Sequence, residues 1–526
     1  MCTQTQVCTQ MPKNKHMEQQ QQPHFLLLTF PIQGHINPSL QFARRLTRIG
    51  TRVTFATAIS AYRRMPNNPT AEDGLSFASF SDGYDDGFNS KQNDQTHFMS
   101  EFKRRSSEAL AELITASQNE GGQPFTCLIY PQLLIWAAEV ARAYHLPSAL
   151  LWLQPALVFD VYYYYFYGYG DLIEGKVNDL IELPGLPPLT GRDLPSFLDP
   201  RNSNDAYSFV LASFKEQMEA IVEETDPRIL VNTFDALEAE TLKAIDKFNM
   251  IAIGPLVASA LLDGKEQYGG DLCQNSSIEY YMEWLSSKPK SSVIYVAFGT
   301  ICVLEKRQVE EIARGLLDSG HPFLWVSRES DNKDKDKDKG EDDVMMKYKE
   351  ELNEKGMIVP WCSQVEVLSH EAVGCFVTHC GWSSSLESLV YGVPVVAFPQ
   401  WTDQGTNAKI IVDFCKTGVR VKANEEGIVE SDEINRCLEL VMGEGDDFRR
   451  NSLKWKDLAR DAVKQGGSSH KNLKAFVDDF STSNDSTLNF SCKIKLTMHT
   501  NTIGQEGGRE REVHCTHTTD SMNSEL

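Results

Sequence analysis

The chain has 526 residues, of which 41% are hydrophobic, enough to bury large cores; length alone suggests about two to four domains, and two is the reading adopted. A formal net charge of −22 argues against nucleic-acid or anionic-membrane partners, because the summed field repels both. Twelve cysteines, scattered without paired metal-ligand spacing and in part inside apolar strands (Cys127, Cys375), read as small reduced hydrophobes in a cytoplasmic setting.

Residues 1–22 (MCTQTQVCTQMPKNKHMEQQQQ) lack the apolar core of a signal peptide and are predicted to be a disordered extension. No uninterrupted apolar stretch reaches the ~18 residues of a membrane span; the aromatic run from Trp152 to Tyr169 is broken by Gln154, Pro155 and Asp160. His24 to Phe30 predicts a strand, Leu40 to Ile49 has helical apolar spacing, and Arg52 to Ala56 predicts a second strand, a βαβ beginning. Between them, Pro31-Ile32-Gln33-Gly34-His35-Ile36-Asn37-Pro38 puts His35 at the carboxyl end of the first strand, where open α/β sheets bind ligands, with Pro38 suited to a first helical turn. Imidazole has the pKa of a general base near neutral pH, so His35 is the candidate catalytic residue, against the plainer reading that it packs or caps the turn. No G-x-G-x-x-G follows the first strand, which argues against a nicotinamide dehydrogenase.

Further along, Asn249 to Leu256 with its Gly-Pro pair and the polar stretch from Leu262 to Ser277 mark an interdomain linker. The domains are therefore drawn at 23–250 and 278–460, joined by a linker at 251–277. Ser292 to Phe298 and Phe323 to Val326 read as strands flanking a helix with Val309, Ile312, Leu316 and Leu317 on one face. The Asp-x-Asp repeat in DNKDKDKDKGEDD, between Glu329 and Asp343, resembles a metal-binding motif, but alternating charge in low-complexity sequence fits a solvated loop.

The most informative segment is Trp361 to Gln404, WCSQVEVLSHEAVGCFVTHCGWSSSLESLVYGVPVVAFPQWTDQ. Gly374 to Thr378 is a buried strand, and His379-Cys380-Gly381-Trp382 turns it into a helix over Ser383 to Val390. The free N–H groups and positive dipole of that helix start, with the hydroxyls of Ser383 and Ser384, form a ready site for a diphosphate to which His379 can donate. Zinc binding by His379-Cys380 is disfavoured, because no second His/Cys pair lies at ligand spacing. Val393 to Phe398 is a second strand, after which Asp403 and Gln404 offer the acceptors and donors that neighbouring sugar hydroxyls require, while Trp361 offers a flat face for a base.

This block resembles the signature of plant family 1 UDP-glycosyltransferases of small molecules, a resemblance that covers about residues 24 to 480. It implies the GT-B fold: α/β, two facing Rossmann-like domains with a cleft between them. It implies further that Trp361 stacks on uracil, Cys362 contacts the uracil edge through its backbone, and Gln364 and Glu387 hold the ribose. Thr300, His379, Ser383 and Ser384 would hold the diphosphate, and Trp382, Asp403 and Gln404 the sugar. A terminal Gln goes with glucose in this family, so the implied donor is UDP-glucose as co-substrate, with no cofactor and no metal. Ser383 stands where the family usually has Asn, and Pro131 stands where many members have an Asp that orients the base, with Gln132 a neutral substitute. The missing Asp points to acceptors that ionise readily, carboxylic acids or phenols of lowered pKa, unless Asp82, Asp85 or Asp86 reaches His35.

Within the family, Phe80 to Phe88 and Trp361 to Gln364 most resemble enzymes acting on anthocyanin 5-hydroxyls or on carboxylates such as abscisic acid, auxins and crocetin. Trp136, Phe159 and the aromatics around them supply flat area for a planar acceptor. The expected partners are thus a small-molecule acceptor and a UDP-sugar, with no nucleic acid, no stable membrane insertion and a monomeric chain. Residues 461–482 are expected to form a helix packing back on the amino-terminal domain, and 483–526 a disordered tail. The alternatives are a nucleotide-sugar epimerase, opposed by the aromatic content, and an inactive ligand-binding protein, encouraged by Pro131 and Ser383.

Overall fold

The computed structural model describes residues 22–65, 73–89, 94–119, 122–174, 179–199, 208–258, 278–327, 347–443 and 447–481. Nearly all of the predicted extension, most of the linker, the whole Asp-x-Asp repeat region and the tail lie outside them. Two parallel sheets organise the described chain. The first contains β1 (His24–Leu28), β2 (Arg52–Ala58), β3 (Leu75–Phe80), β4 (Cys127–Pro131), β5 (Ser148–Trp152), β6 (Arg228–Val231) and β7 (Asn249–Ala252), in spatial order β3-β2-β1-β4-β5-β6-β7. The second contains β8 (Val293–Ala297), β9 (Phe323–Val326), β10 (Gly356–Val359), β11 (Val373–Thr378), β12 (Val395–Ala397) and β13 (Gly418–Arg420), in order β10-β9-β8-β11-β12-β13.

Parallel strands covered by helices on both faces read as unbroken apolar runs, and HFLLL, VIYVA and VGCFVT do so with every residue buried. In each sheet the strand order reverses once, between β1 and β4 and between β8 and β11, and such a reversal opens a crevice at the carboxyl ends of the strands. His35 and Gln132 follow β1 and β4; Thr300 and His379 follow β8 and β11. The topology therefore delivers the candidate residues of both halves to the two crevices.

One boundary differs in a way that matters. The helix after β1 runs Gln33–Arg48, not from Leu40, with Ile32 extended before it and the His35 N–H bonded to the Ile32 carbonyl at 3.0 Å. His35 thus sits in the first helical turn, and Pro38 one turn deeper, where it removes a bond to the Gly34 carbonyl. The polar, glycine-containing start carries no apolar period, so spacing alone could not locate it.

The halves are tied together at several points. Trp382 donates its indole N–H to the Asn232 carbonyl (2.7 Å), and the last described helix, Ser468–Ser481, returns to the first sheet. There Phe476 and Phe480 pack edge-on against Phe25, and Asn472 donates to the Ala252 carbonyl at 2.9 Å. Helix Ala156–Tyr164, which starts just after the cleft residue Gln154, is held by the buried Glu238. Its carboxylate accepts from the Ala156 and Leu157 N–H groups at 3.1 and 2.9 Å. Replacing it with Ala strands two buried donors, so Glu238→Ala should lose on the order of 3 kcal/mol of unfolding free energy and Glu238→Gln less. Denaturant titration of both variants checks this, and an Ala variant within about 0.5 kcal/mol of the parent would contradict it.

Candidate active site

A cavity of about 650 Å³ lies where the two crevices face each other. His35, Thr300, Trp361, Cys362, Gln364, His379, Trp382, Ser383, Ser384, Glu387, Asp403 and Gln404 all line it. Trp136 and Phe159 do not. The Trp136 indole donates to Ser106 Oγ (2.9 Å) and its ring meets Phe102, while Phe159 is fully buried between Trp152 and Phe248. Both are core residues, and the apolar wall of the cavity is built instead from Phe88, Phe98, Met99, Phe197 and Phe214. Aromatics at helical spacing look alike in sequence whether they face core or cleft.

His35 is buried, its Nδ1 has no hydrogen-bond partner, and burial lowers its pKa to about 4, so at neutral pH the ring is an uncharged imidazole. β4 ends on Pro131, and Gln132 beyond it commits its Oε1 to the Leu153 N–H (2.9 Å). Asp82 lines the cavity but accepts from the Tyr84 N–H (2.8 Å), and burial raises its pKa. Asp86 pairs with Arg63 at the surface (3.3 Å). No carboxylate among the described residues orients His35.

Opposite His35, the helix Trp382–Tyr391 opens with Gly381 as its cap residue and no side-chain cap, so its first N–H groups point unpaired along the dipole. Cys380, just before, holds a left-handed φ of 62°, with its N–H on Thr378 Oγ1 (3.3 Å). The His379 ring is wedged between two glycines: a Cβ built on Gly299 or on Gly381 would fall 2.6 Å from its Nε2. Burial lowers the His379 pKa to about 4, which leaves one ring nitrogen protonated to donate. Cys380 is buried and its thiol pKa is raised to about 12, and among the described residues no cluster of three His, Cys, Asp or Glu could hold a metal.

Gln364 reaches Ser384 Oγ (2.8 Å) and Glu387 Oε2 (2.6 Å) through its Nε2 and accepts from the Tyr295 hydroxyl (3.3 Å) through its Oε1, fixing Glu387 at the cavity wall. Gln404 accepts the Gln400 and Trp401 N–H groups (2.8 and 3.0 Å), which leaves its amide N–H₂ as the donor to a ligand. Burial pushes the Asp403 carboxyl up, opposed by hydrogen bonds from Asn407 and Thr402 and from Gln154 of the other half. Asn407, which the sequence reading missed, donates at once to Asp403 Oδ2 (3.0 Å) and to the Cys380 carbonyl (2.9 Å). Its place four residues after Asp403, on the same helix face, was the available signal. The arrangement presents a neutral base on one wall, and on the other an anion cradle beside a paired carboxylate and amide suited to a polyol.

Comparison with known proteins agrees with this chemistry. The family UDP-glucoronosyl and UDP-glucosyl transferase matches residues 266–464. The chain is 60% identical over 475 residues to phloretin 4'-O-glucosyltransferase of Malus domestica, covering 87% of this chain and 98% of that protein. It is 56% identical to a chloroplastic crocetin glucosyltransferase of Gardenia jasminoides, at 87% and 98% coverage. Among solved structures, Os79 of O. sativa in complex with UDP superposes with a TM-score of 0.74 at 32% identity, covering 87% of this chain and all of the other.

The glycine wedge yields a direct test. In Gly299→Ala the new methyl group collides with the His379 ring and the left-handed φ of 77° is strained, so UDP should bind about tenfold more weakly, or about 1.4 kcal/mol. Calorimetric titration with UDP measures it, and unchanged affinity would mean that His379 does not contact the diphosphate.

Proposed function

The chain belongs to the plant family 1 UDP-glycosyltransferases, and on that premise we propose that it transfers glucose from UDP-glucose to a small plant metabolite with inversion at the anomeric carbon. The observation that carries the reading is one cavity in which the neutral imidazole of His35 faces the open helix start at Gly381 and the Asp403–Gln404 pair. Trp361 would stack on the base, Gln364 and Glu387 bind the ribose, and Thr300, His379, Ser383 and Ser384 bind the diphosphate. Trp382 would contribute its backbone, since its indole is engaged by Asn232.

In the reaction His35 takes the proton of the acceptor hydroxyl while that oxygen attacks the sugar C1 on the face opposite the diphosphate. The C1–O bond to the diphosphate breaks, giving a β-glucoside and UDP. Charge developing on the leaving diphosphate is met by helix N–H groups, His379 and the serines, so no metal is required. With no carboxylate to raise its basicity, His35 is a weak base, which suits acceptors of low pKa: phenols, such as anthocyanin hydroxyls, or carboxylic acids such as abscisic acid, auxin or crocetin. The glucosyltransferase names of the relatives, with phloretin, crocetin and anthocyanidin 3-O-glucosides as acceptors, support a small aromatic or apolar acceptor. The cavity is complete within one chain, which supports a monomer. No helix among the described residues is long and apolar enough to cross a membrane; the cytoplasmic setting is proposed on the free thiols buried in apolar strands, Cys127 and Cys375.

UDP release should fall about 10²- to 10⁴-fold in His35→Ala with phenolic acceptors and far less with carboxylates, which arrive ionised. Chelators should leave both rates unchanged. Because His35 stays neutral until pH falls to about 4, kcat/KM for a phenol should hold down to about pH 5 instead of declining at the usual histidine value. Stability runs the same way: between pH 6.5 and about 4 the unfolded chain binds protons that the buried His35 refuses, so folding stability drops as pH falls through that window. His35→Ala should reduce that slope, leaving the share of His379, whose pKa burial also lowers to about 4. No UDP release with any acceptor would point instead to a ligand-binding protein.

A further inference from the structure

The loop carrying Asp403 is strained at one residue. Thr402 holds φ at 57°, a left-handed conformation that a β-branched side chain rarely adopts and that persists only when its surroundings enforce it. What enforces it comes from the other half of the molecule. Ser196 donates its N–H to the Thr402 carbonyl (2.7 Å) and accepts the Thr402 N–H on its Oγ (2.8 Å), so one serine satisfies both polar backbone groups of the strained residue. Thr402 in turn donates its hydroxyl to Asp403 Oδ1 (2.9 Å).

Ser196 is itself held. Three residues earlier Asp193, 3% exposed, accepts from Arg420 (2.9 Å) and lies 3.5 Å from Lys409 Nζ. Its carboxylate also closes a turn on Thr190, bonding the Thr190 N–H at 2.9 Å and hydroxyl at 2.7 Å. The Asp193 carbonyl accepts from Thr406 Oγ1 (2.6 Å), and the Arg192 carbonyl accepts from Arg420 (2.6 Å). The segment 190–196 is therefore a strap from the acceptor-side half, pinned by a buried ion pair along the helix that begins at Gln404. A buried charge of this kind fixes geometry strongly, because removing one partner leaves the other uncompensated.

We propose that Ser196, on a strap anchored by Asp193, is a positioning residue for donor-sugar recognition: it locks Thr402 in the left-handed conformation that aims Asp403 into the cleft. This rests on the reading of Asp403 as a sugar contact. Without the serine hydroxyl the Thr402 N–H loses its acceptor, the backbone relaxes toward negative φ, and the carboxylate swings. The diphosphate cradle, on the separate loop 379–384, is untouched.

The test compares Ser196→Ala, Asp193→Asn, Asp403→Ala and Thr402→Gly, with thermal melting to confirm folding, using UDP-glucose, UDP-galactose and UDP. Ser196→Ala should raise the KM for UDP-glucose about tenfold and erode the preference over UDP-galactose, while UDP affinity stays within twofold. Asp193→Asn should give the same pattern at smaller amplitude. In a Thr402→Gly background, where the residue takes φ 57° without support, Ser196→Ala should cost less than twofold. An equal cost in both backgrounds, an equal loss of UDP affinity, or unchanged sugar preference in Ser196→Ala and Asp193→Asn overturns the positioning role. If Asp403→Ala itself leaves sugar kinetics unchanged, the donor reading of that loop fails first, and the proposal with it.

Discussion

A single buried amide carries the geometry of the cleft. Asn407, fully enclosed, uses one N–H₂ group to hold the Cys380 carbonyl in one loop and the Asp403 carboxylate in the next. Each of those loops contains a non-glycine residue at positive φ, Cys380 and Thr402. Such conformations are unfavourable alone, and a shared donor joins the two, so that the proposed diphosphate and sugar contacts belong to one linked unit. Asn407 holds the Cys380 carbonyl and one edge of the Asp403 carboxylate, while the Thr402 backbone beside it is held separately by Ser196, so the sugar-side loop has a second support that the Cys380 loop does not share.

That unit lets a strongly acidic protein accept an anionic donor. A net charge of −22 repels a nucleoside diphosphate at long range, and the cavity wall adds the carboxylates of Glu387 and Asp403. What offsets them is local: unpaired N–H groups at the start of the Trp382 helix and a neutral His379 confined by Gly299 and Gly381. On the facing wall His35 is equally isolated from charge. Its low basicity and the phenylalanine-rich surroundings favour an acceptor that is apolar in body and acidic at the reacting oxygen.

Much of this was legible in the sequence, for identifiable reasons. Parallel strands buried on both faces leave continuous apolar runs, so β1, β8, β9 and β11 could be read within a residue or two, and residues following such strands at a topological reversal must meet at a crevice. The block from Trp361 to Gln404 keeps its working residues within one local stretch, which is why all its candidates line the cavity together. The start of the Gln33–Arg48 helix was hidden by a polar, glycine-containing turn. Trp136 and Phe159 were misplaced because helical spacing fixes a face without saying what covers it. The Ser196–Thr402 pairing spans 206 positions and leaves no periodic trace, so only the folded chain reveals it.

The central claim is a displacement in which acceptor and leaving group occupy opposite faces of the sugar, as a base on one wall and an anion cradle on the other require. The most direct test is the configuration of the glucoside formed from UDP-α-glucose, read by proton NMR on the first product released. The proposed mechanism predicts the β-anomer, accompanied by one UDP for each glucoside. An α-glucoside would contradict it, because retention needs a double displacement through an enzyme nucleophile or a front-face path in place of direct attack by the acceptor that His35 activates.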